Sequence, residues 1–278
     1  MTCAIRAGLR RGLIELRQSF TNGAELSSHL LWPLLMLGSL WFMRDAEFGS
    51  TGLLLGTLAL PSILGMNASF GMVTMGQLLT AEREDGTLLR AKATPNGMIG
   101  YFVGKVVSVS GGLLADLVIF LIPGLFLIKG LDLGADAWLG LAWVLVLGMM
   151  ATLPIGAILG SVFTSARSQG LIQLPVLGMI AISGIFYPVT ALPEWLQWIA
   201  QVFPVYWLGL GMRSALLPPE AVAVEIGESW RHLETVGVLG AWTVLGLLVA
   251  PVVLRRMARR ESGSSVAARR ERALQKAR

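Results

Sequence analysis

The chain reads as an all-α polytopic membrane protein with six transmembrane helices. An N-terminal amphipathic interfacial helix precedes them, and an extracytoplasmic re-entrant helix pair lies between the fifth and sixth spans. Three observations predict this. Of the 278 residues, 54% are hydrophobic and only 14% charged, with a mean hydropathy of +0.68, a composition suited to lipid rather than water. Apolar stretches recur at 26–43, 51–79, 99–128, 135–164, 170–188 and 235–254, each near or above the roughly 17 residues that cross about 30 Å of hydrocarbon. Finally, Lys and Arg gather on alternate connections. Segments this long and without barrel-type alternation satisfy their backbone in lipid only as helices.

Residues 1–25 form the first element, a cytoplasmic connecting helix. Ile5, Leu9, Leu13, Leu16 and Phe20 recur at near-helical spacing while Arg6, Arg10 and Arg17 fall away from them, the pattern of a helix lying in the membrane interface. No compact apolar core with a small-residue cleavage site follows, so the first span is expected to do the targeting.

Residues 26–254 make the membrane domain. Its first cytoplasmic loop, 81–97, carries Glu82, Arg83, Glu84, Asp85, Arg90 and Lys92. Asp85 or Thr87 can cap a short helix, Leu88 and Leu89 give it an apolar edge, and Thr94-Pro95-Asn96-Gly97 ends it in a turn. The expected result is a charged knob on the cytoplasmic side. Across the membrane, 188–219 holds two short apolar segments. Pro193 suits a first helical turn, Trp195, Leu196, Ile199, Val202 and Phe203 form a stripe, Pro204 interrupts, and Pro218-Pro219 closes the second segment. Neither segment can span a bilayer, so the pair reads as a hairpin dipping in from outside. Tyr187, Trp195, Trp198, Tyr206 and Trp207 are expected at its lipid–water boundary. The basic tail, 255–278, reads as cytoplasmic and resting on anionic lipid, where each basic residue is worth about 1 kcal/mol, rather than as a nucleic-acid binder.

Charge fixes the predicted orientation. With the N-terminus cytoplasmic, the inner segments hold Arg6, Arg10, Arg11, Arg17, Arg83, Arg90, Lys92, Arg167 and the tail. The outer ones hold only Arg44, Lys129, Arg213 and Arg231, beside Asp45, Glu47, Asp132, Asp136, Glu194, Glu220, Glu225, Glu228 and Glu234. This is the positive-inside distribution.

Two strings carry a family likeness. Glu82-Arg83-Glu84-Asp85-Gly86-Thr87-Leu88 through Thr94-Pro95, followed at the right distance by Tyr187-Pro188-Val189-Thr190-Ala191-Leu192-Pro193-Glu194-Trp195-Leu196, resembles the ABC-2 permease family, and within it the permeases of daunorubicin-type drug exporters. The resemblance implies a half-transporter that pairs with a second permease copy, or a paralogous permease, and with ABC ATPase subunits. It implies export of an amphipathic drug, lipid or glycolipid across a bacterial cytoplasmic membrane. It also implies that Glu82, Arg83, Glu84, Gly86, Thr87, Leu88, Arg90 and Pro95 belong to a coupling helix seated on the ATPase, and that the outer re-entrant helices close the pathway.

The rival chemistries fare worse. A phosphate-binding G-x-x-x-x-G-K-[ST] loop is not matched by Gly100-Tyr101-Phe102-Val103-Gly104-Lys105-Val106, so ATP and its magnesium are expected on the partner, no cofactor on this chain, and Lys105 reads as a snorkelling side chain. A single cysteine, Cys3, and two distant histidines, His29 and His232, argue against a disulfide or a metal site. Ser183-Gly184 lacks a histidine at its depth, which argues against an intramembrane protease. The G-x-x-x-G pairs Gly52/Gly56, Gly100/Gly104 and Gly156/Gly160 read as close helix packing. Asp116 lies near the middle of the third span, where a carboxylate costs about 2.5 to 3.5 kcal/mol to insert. It is either hydrogen-bonded between helices or a point on the transport path, and in the second case a proton-coupled secondary transporter is the alternative function.

Overall fold

The computed structural model describes residues 2–46, 54–131, 133–162, 169–185 and 187–260. Among them ten α-helices follow one another: α1 (Thr2–Thr21), α2 (Gly23–Met43), α3 (Leu55–Glu84), α4 (Thr87–Lys92), α5 (Gly97–Leu127), α6 (Ala135–Val162), α7 (Gln169–Ile182), α8 (Glu194–Val202), α9 (Pro204–Leu216) and α10 (His232–Arg260). Glu47, Gly52, Asp132, Arg167 and the tail beyond residue 260 lie outside the described residues.

Five of these helices are long and apolar enough to cross a membrane: Gly23–Met43, Leu55–Glu84, Gly97–Leu127, Ala135–Val162 and His232–Met257. The predicted fifth span is shorter than expected. Where 170–188 reads as continuous, α7 stops at Ile182, about 21 Å long at 1.5 Å per residue. The chain turns at Gly184, whose φ of +72° favours glycine, and Pro188 follows. The second span differs at its inner end. Instead of stopping at 79 it continues to Glu84, because no breaker intervenes before Gly86.

α3 is the centre of the bundle, with α2, α5, α6, α7 and α9 packed against it. Its approach to α6 depends on glycine. A Cβ on Gly156 would meet the Met72 carbonyl oxygen at 2.3 Å, and one on Gly160 would meet that of Gly76 at 2.5 Å. The two backbones therefore touch, and the Thr80 hydroxyl donates to the carbonyls of both Gly76 (2.9 Å) and Gly160 (3.3 Å). This is close packing of the small-xxx-small kind. The outside of the bundle carries large apolar side chains: Trp41 and Phe42 on α2, Phe126 on α5, Leu245 and Leu248 on α10 are all exposed. Such a surface belongs in hydrocarbon.

α1 docks by a face the periodicity does not single out. Gly8 and Gly12 are buried against Gly100 and Gly104 of α5, while Leu9, Leu13 and Ile14 remain exposed. The small residues make the closest helix–helix contact; Leu9 and Leu13 of the apolar stripe stay on the outside, where interfacial lipid can take them, while Leu16 lies against Gly111 and Phe20 stacks on His29.

Candidate functional site

Three predicted site regions can be followed into the fold, starting with 81–97. The Asp85 carboxylate accepts the Thr87 backbone N–H at 2.7 Å, so it is Asp85 that starts α4. Gly86 has φ +83° and Asn96 φ +54°, and these two left-handed residues bracket the short helix before α5 begins. The predicted coupling residues then divide. Arg83 and Leu88 are buried, together with Ala91, where α4 packs on α3, α5 and α10. Glu84, Gly86 and Thr87 are half-buried, and Asp85, Arg90, Lys92 and Pro95 are exposed. Leu88 is 1% exposed, so it is not an edge held out to a partner. A leucine at the end of a bundle lowers its free energy most by turning into that bundle.

Glu82 is occupied as well. Its carboxylate lies 2.5 Å from the Lys105 ammonium of α5 and 3.6 Å from the Arg11 guanidinium of α1. Lys105 also donates to Glu15 at 2.7 Å, and Arg11 to Glu15 at 2.8 Å. Four charges from three helices thus close one cluster, with the Tyr101 ring 5.4 Å from the Arg11 guanidinium carbon. Lys105 is 3% exposed, so it does not snorkel to solvent. The two carboxylates hold it inside. Burial by itself would raise the Glu15 pKa, but hydrogen bonds from Lys105 and Arg11 outweigh that and hold it below its ordinary value. Burial likewise opposes the charge on Arg11, and Glu15 followed by Glu82 reverses the effect and raises its pKa. The sequence signal for this cluster was available: Glu15 is the lone acid in a helix otherwise rich in arginine.

In the third span, Asp116 faces α2. Its Oδ1 lies 2.5 Å from Nδ1 of His29, and the imidazole stacks on Phe20 with ring centres 4.7 Å apart. Sequence distance concealed this pair, 87 residues apart.

The predicted outer element separates in the same way. α8 presents Trp195 and Trp198, both largely exposed, and Pro193 precedes it at the N-cap rather than inside the first turn. The Tyr187 hydroxyl donates to the Ala181 carbonyl. Tyr206 and Trp207 are turned into the bundle instead of outward. Both are buried, since α9 packs between α3 and α6 along its whole length. The Trp207 indole donates to the Gln201 carbonyl at 2.7 Å, and Arg231 lies 4.8 Å over its ring. One arrangement here has no counterpart in the sequence reading: Arg213 of α9 and Glu225 form a buried bidentate ion pair at 2.6 and 3.3 Å.

Among the described residues no group of His, Cys, Asp and Glu is placed to hold a metal ion. The model of the family described as ABC-2 type transporter matches residues 4–217, from α1 through α9. No curated protein matches the chain.

Proposed function

The chain belongs to the ABC-2 type transporter family, and on that premise we propose that it is the permease subunit of an ATP-driven exporter in a bacterial cytoplasmic membrane. ATP and magnesium belong to a partner ATPase, and a second permease copy or a paralogue completes the pathway. The membrane domain, 26–254, crosses six times when α7 is counted, with both termini cytoplasmic and the tail 255–278 on anionic lipid. α8 and α9 form the re-entrant pair. In support, α9 is too short to cross at about 20 Å, and the Trp242 indole of α10 donates to the Val202 carbonyl, which ties the apex of the pair to the side of a spanning helix. The cargo is amphipathic: a drug of the daunorubicin type, a lipid or a glycolipid.

One observation carries the coupling reading. The 81–97 segment is anchored from within and exposed at its tip. Leu88 and Ala91 are buried beneath α4, Glu82 is clamped to α1 and α5, and Asp85, Arg90, Lys92 and Pro95 face outward. A segment that receives a push has to be stiff on one side and accessible on the other. When the ATPase subunits close, the load passes through α4 into α3 and α5, and through Glu82 into α1.

Charge reversal at the tip tests this. Reversing a charge that meets a partner costs several kcal/mol, whereas reversing a solvated one is worth about 0.5 kcal/mol or less. Arg90→Glu and Lys92→Glu are each expected to weaken capture of the co-expressed ATPase and to stop export while membrane insertion stays normal. Full capture and full export by both variants would remove the coupling role.

A second reading, proton-coupled transport through Asp116, draws on the His29–Asp116 contact between α2 and α5. Asp116→Asn keeps the size and a hydrogen bond to His29 but removes ionisation. Export that persists in this variant supports the ATP-driven reading. Export lost with ATPase capture intact supports the proton carrier.

A further inference from the structure

A cavity of about 380 Å³ lies between α2 and α3, at the end of the bundle where α2 finishes and α3 begins. Small-molecule sites run from about 300 to 1,000 Å³. Met36 of α2 and Leu58, Ala59 and Met66 of α3 supply an apolar wall about 12 Å long, the helical rise from Leu58 to Met66. Trp32 also lines it and is 40% exposed, which puts this ring at the rim.

The far wall is different. Among the described residues that line the cavity, Arg213 and Glu225 are the charged ones, and their side chains are 5% and 4% exposed. They pair with each other, so the described lining carries no net charge. A guanidinium has five N–H groups. Nε and Nη2 donate to Glu225, and Nη1 donates to the Gly184 carbonyl at 3.4 Å. Two N–H groups remain without a partner among the described residues, at a depth where an unmet donor is costly. Such a wall is not required for stability, since apolar residues of the same size commonly replace a buried ion pair without loss.

We propose that this cavity binds an uncharged amphipathic molecule, with its apolar body along α2 and α3 and an acceptor oxygen on the two uncommitted N–H groups of Arg213. A net-charged ligand is disfavoured. An anion would compete with Glu225 for the guanidinium, a cation would compete with Arg213 for the carboxylate, and either leaves one buried charge unmatched. The proposal rests on the exporter reading for the direction in which the molecule travels, and its binding is measured separately.

The full chain, in phosphatidylcholine nanodiscs, is photolabelled with a long-chain alcohol carrying a diazirine, and with the carboxylic acid and trimethylammonium compounds of equal length. Labelled residues are mapped by mass spectrometry, with Leu245 and Leu248 on the outside of α10 as the lipid-facing reference. The alcohol is expected to label residues of 32–66 saturably, and the two charged probes to label them about tenfold less relative to α10. Ser39→Phe on α2 and Ala59→Phe on α3 each fill the cavity from a different helix, so either suffices if the other fails to fold. In a folded variant the saturable labelling disappears and the α10 reference stays. The double variant R213L/E225L, apolar and uncharged, loses the preference for the alcohol over the acid. Non-saturable labelling that survives both filling variants means lipid partitioning only and overturns the proposal, as does equal labelling by the acid. Loss of ATPase capture has no bearing on this result: labelling without capture refutes the exporter reading and leaves the cavity, whereas capture without labelling refutes the cavity alone.

Discussion

Lys105 joins the three helices at the α4 end of the bundle because, among the described residues, it lies within 2.7 Å of both Glu15 on α1 and Glu82 on α3. Lys105→Met removes the closest cation from two carboxylates and leaves them only the Arg11 guanidinium, 2.8 Å from Glu15 and 3.6 Å from Glu82. Removing one partner of a buried pair costs about 3–5 kcal/mol, and with the carboxylates partly exposed at 22% and 14% the lower end applies. The expected outcome is a lower unfolding temperature in detergent, partly restored by Lys105→Arg. The same cluster sets a pH dependence. Because the folded pKa of Glu15 is depressed below its ordinary 4.5, the carboxylate stabilises α1 docking above that pH, and the contribution is lost as pH falls through the depressed value. Backbone hydrogen exchange in α1, corrected for the intrinsic rate, should lose protection in that acidic window. Glu15→Gln should be less protected at neutral pH and should show no such step. A step that persists in Glu15→Gln would assign the dependence to another group.

At the level of elements, the boundary between what was legible and what was not follows the kind of force involved. Hydropathy and breakers located the long helices to within a few residues, and Pro193, Pro204 and Pro218 marked the limits of α8 and α9 closely. The facing of each helix was less accessible. Leu9 and Leu13 mark an apolar stripe on α1, yet the packed face is Gly8 and Gly12, because in a membrane close backbone approach does what apolar burial does in water. Tyr206 and Trp207 read as boundary aromatics, and only the docking of α9 between two other helices buries them. The α1–α5 contact gives a direct prediction. A Cβ on Gly8 would stand 2.3 Å from the Gly100 carbonyl oxygen, with no flexible side chain to yield. Gly8→Leu should therefore lift α1 from α5, raising exchange throughout α1 while α3 and α6 stay protected. Leu9→Ala, on the exposed face, should leave α1 protection unchanged. Equal effects from the two variants would mean that α1 docks by its apolar stripe after all.

The whole molecule is a bundle around α3 whose two ends differ in chemistry. One end carries the charge cluster and the 81–97 tip. The other carries the Arg213–Glu225 pair, the cavity and the exposed tryptophans of α8. Long-range pairs such as His29 with Asp116 and Arg213 with Glu225 connect segments whose distance along the chain carries no signal, so the candidate site was legible as a list of residues and not as a partition into inward and outward groups. The central proposal is built on that partition: the outward residues of 85–95 are proposed as the place where a partner subunit bears on the permease. Its most direct measurement is a crosslink. With Cys3 replaced by Ser, a thiol-attached photocrosslinker at Pro95→Cys, which is exposed beside α4, is compared with the same probe at Trp195→Cys on α8, exposed at the opposite end. The account predicts an adduct with the co-expressed ATPase from position 95 and none from position 195. An adduct from position 195, or none from position 95 while the two subunits still co-purify, would contradict it.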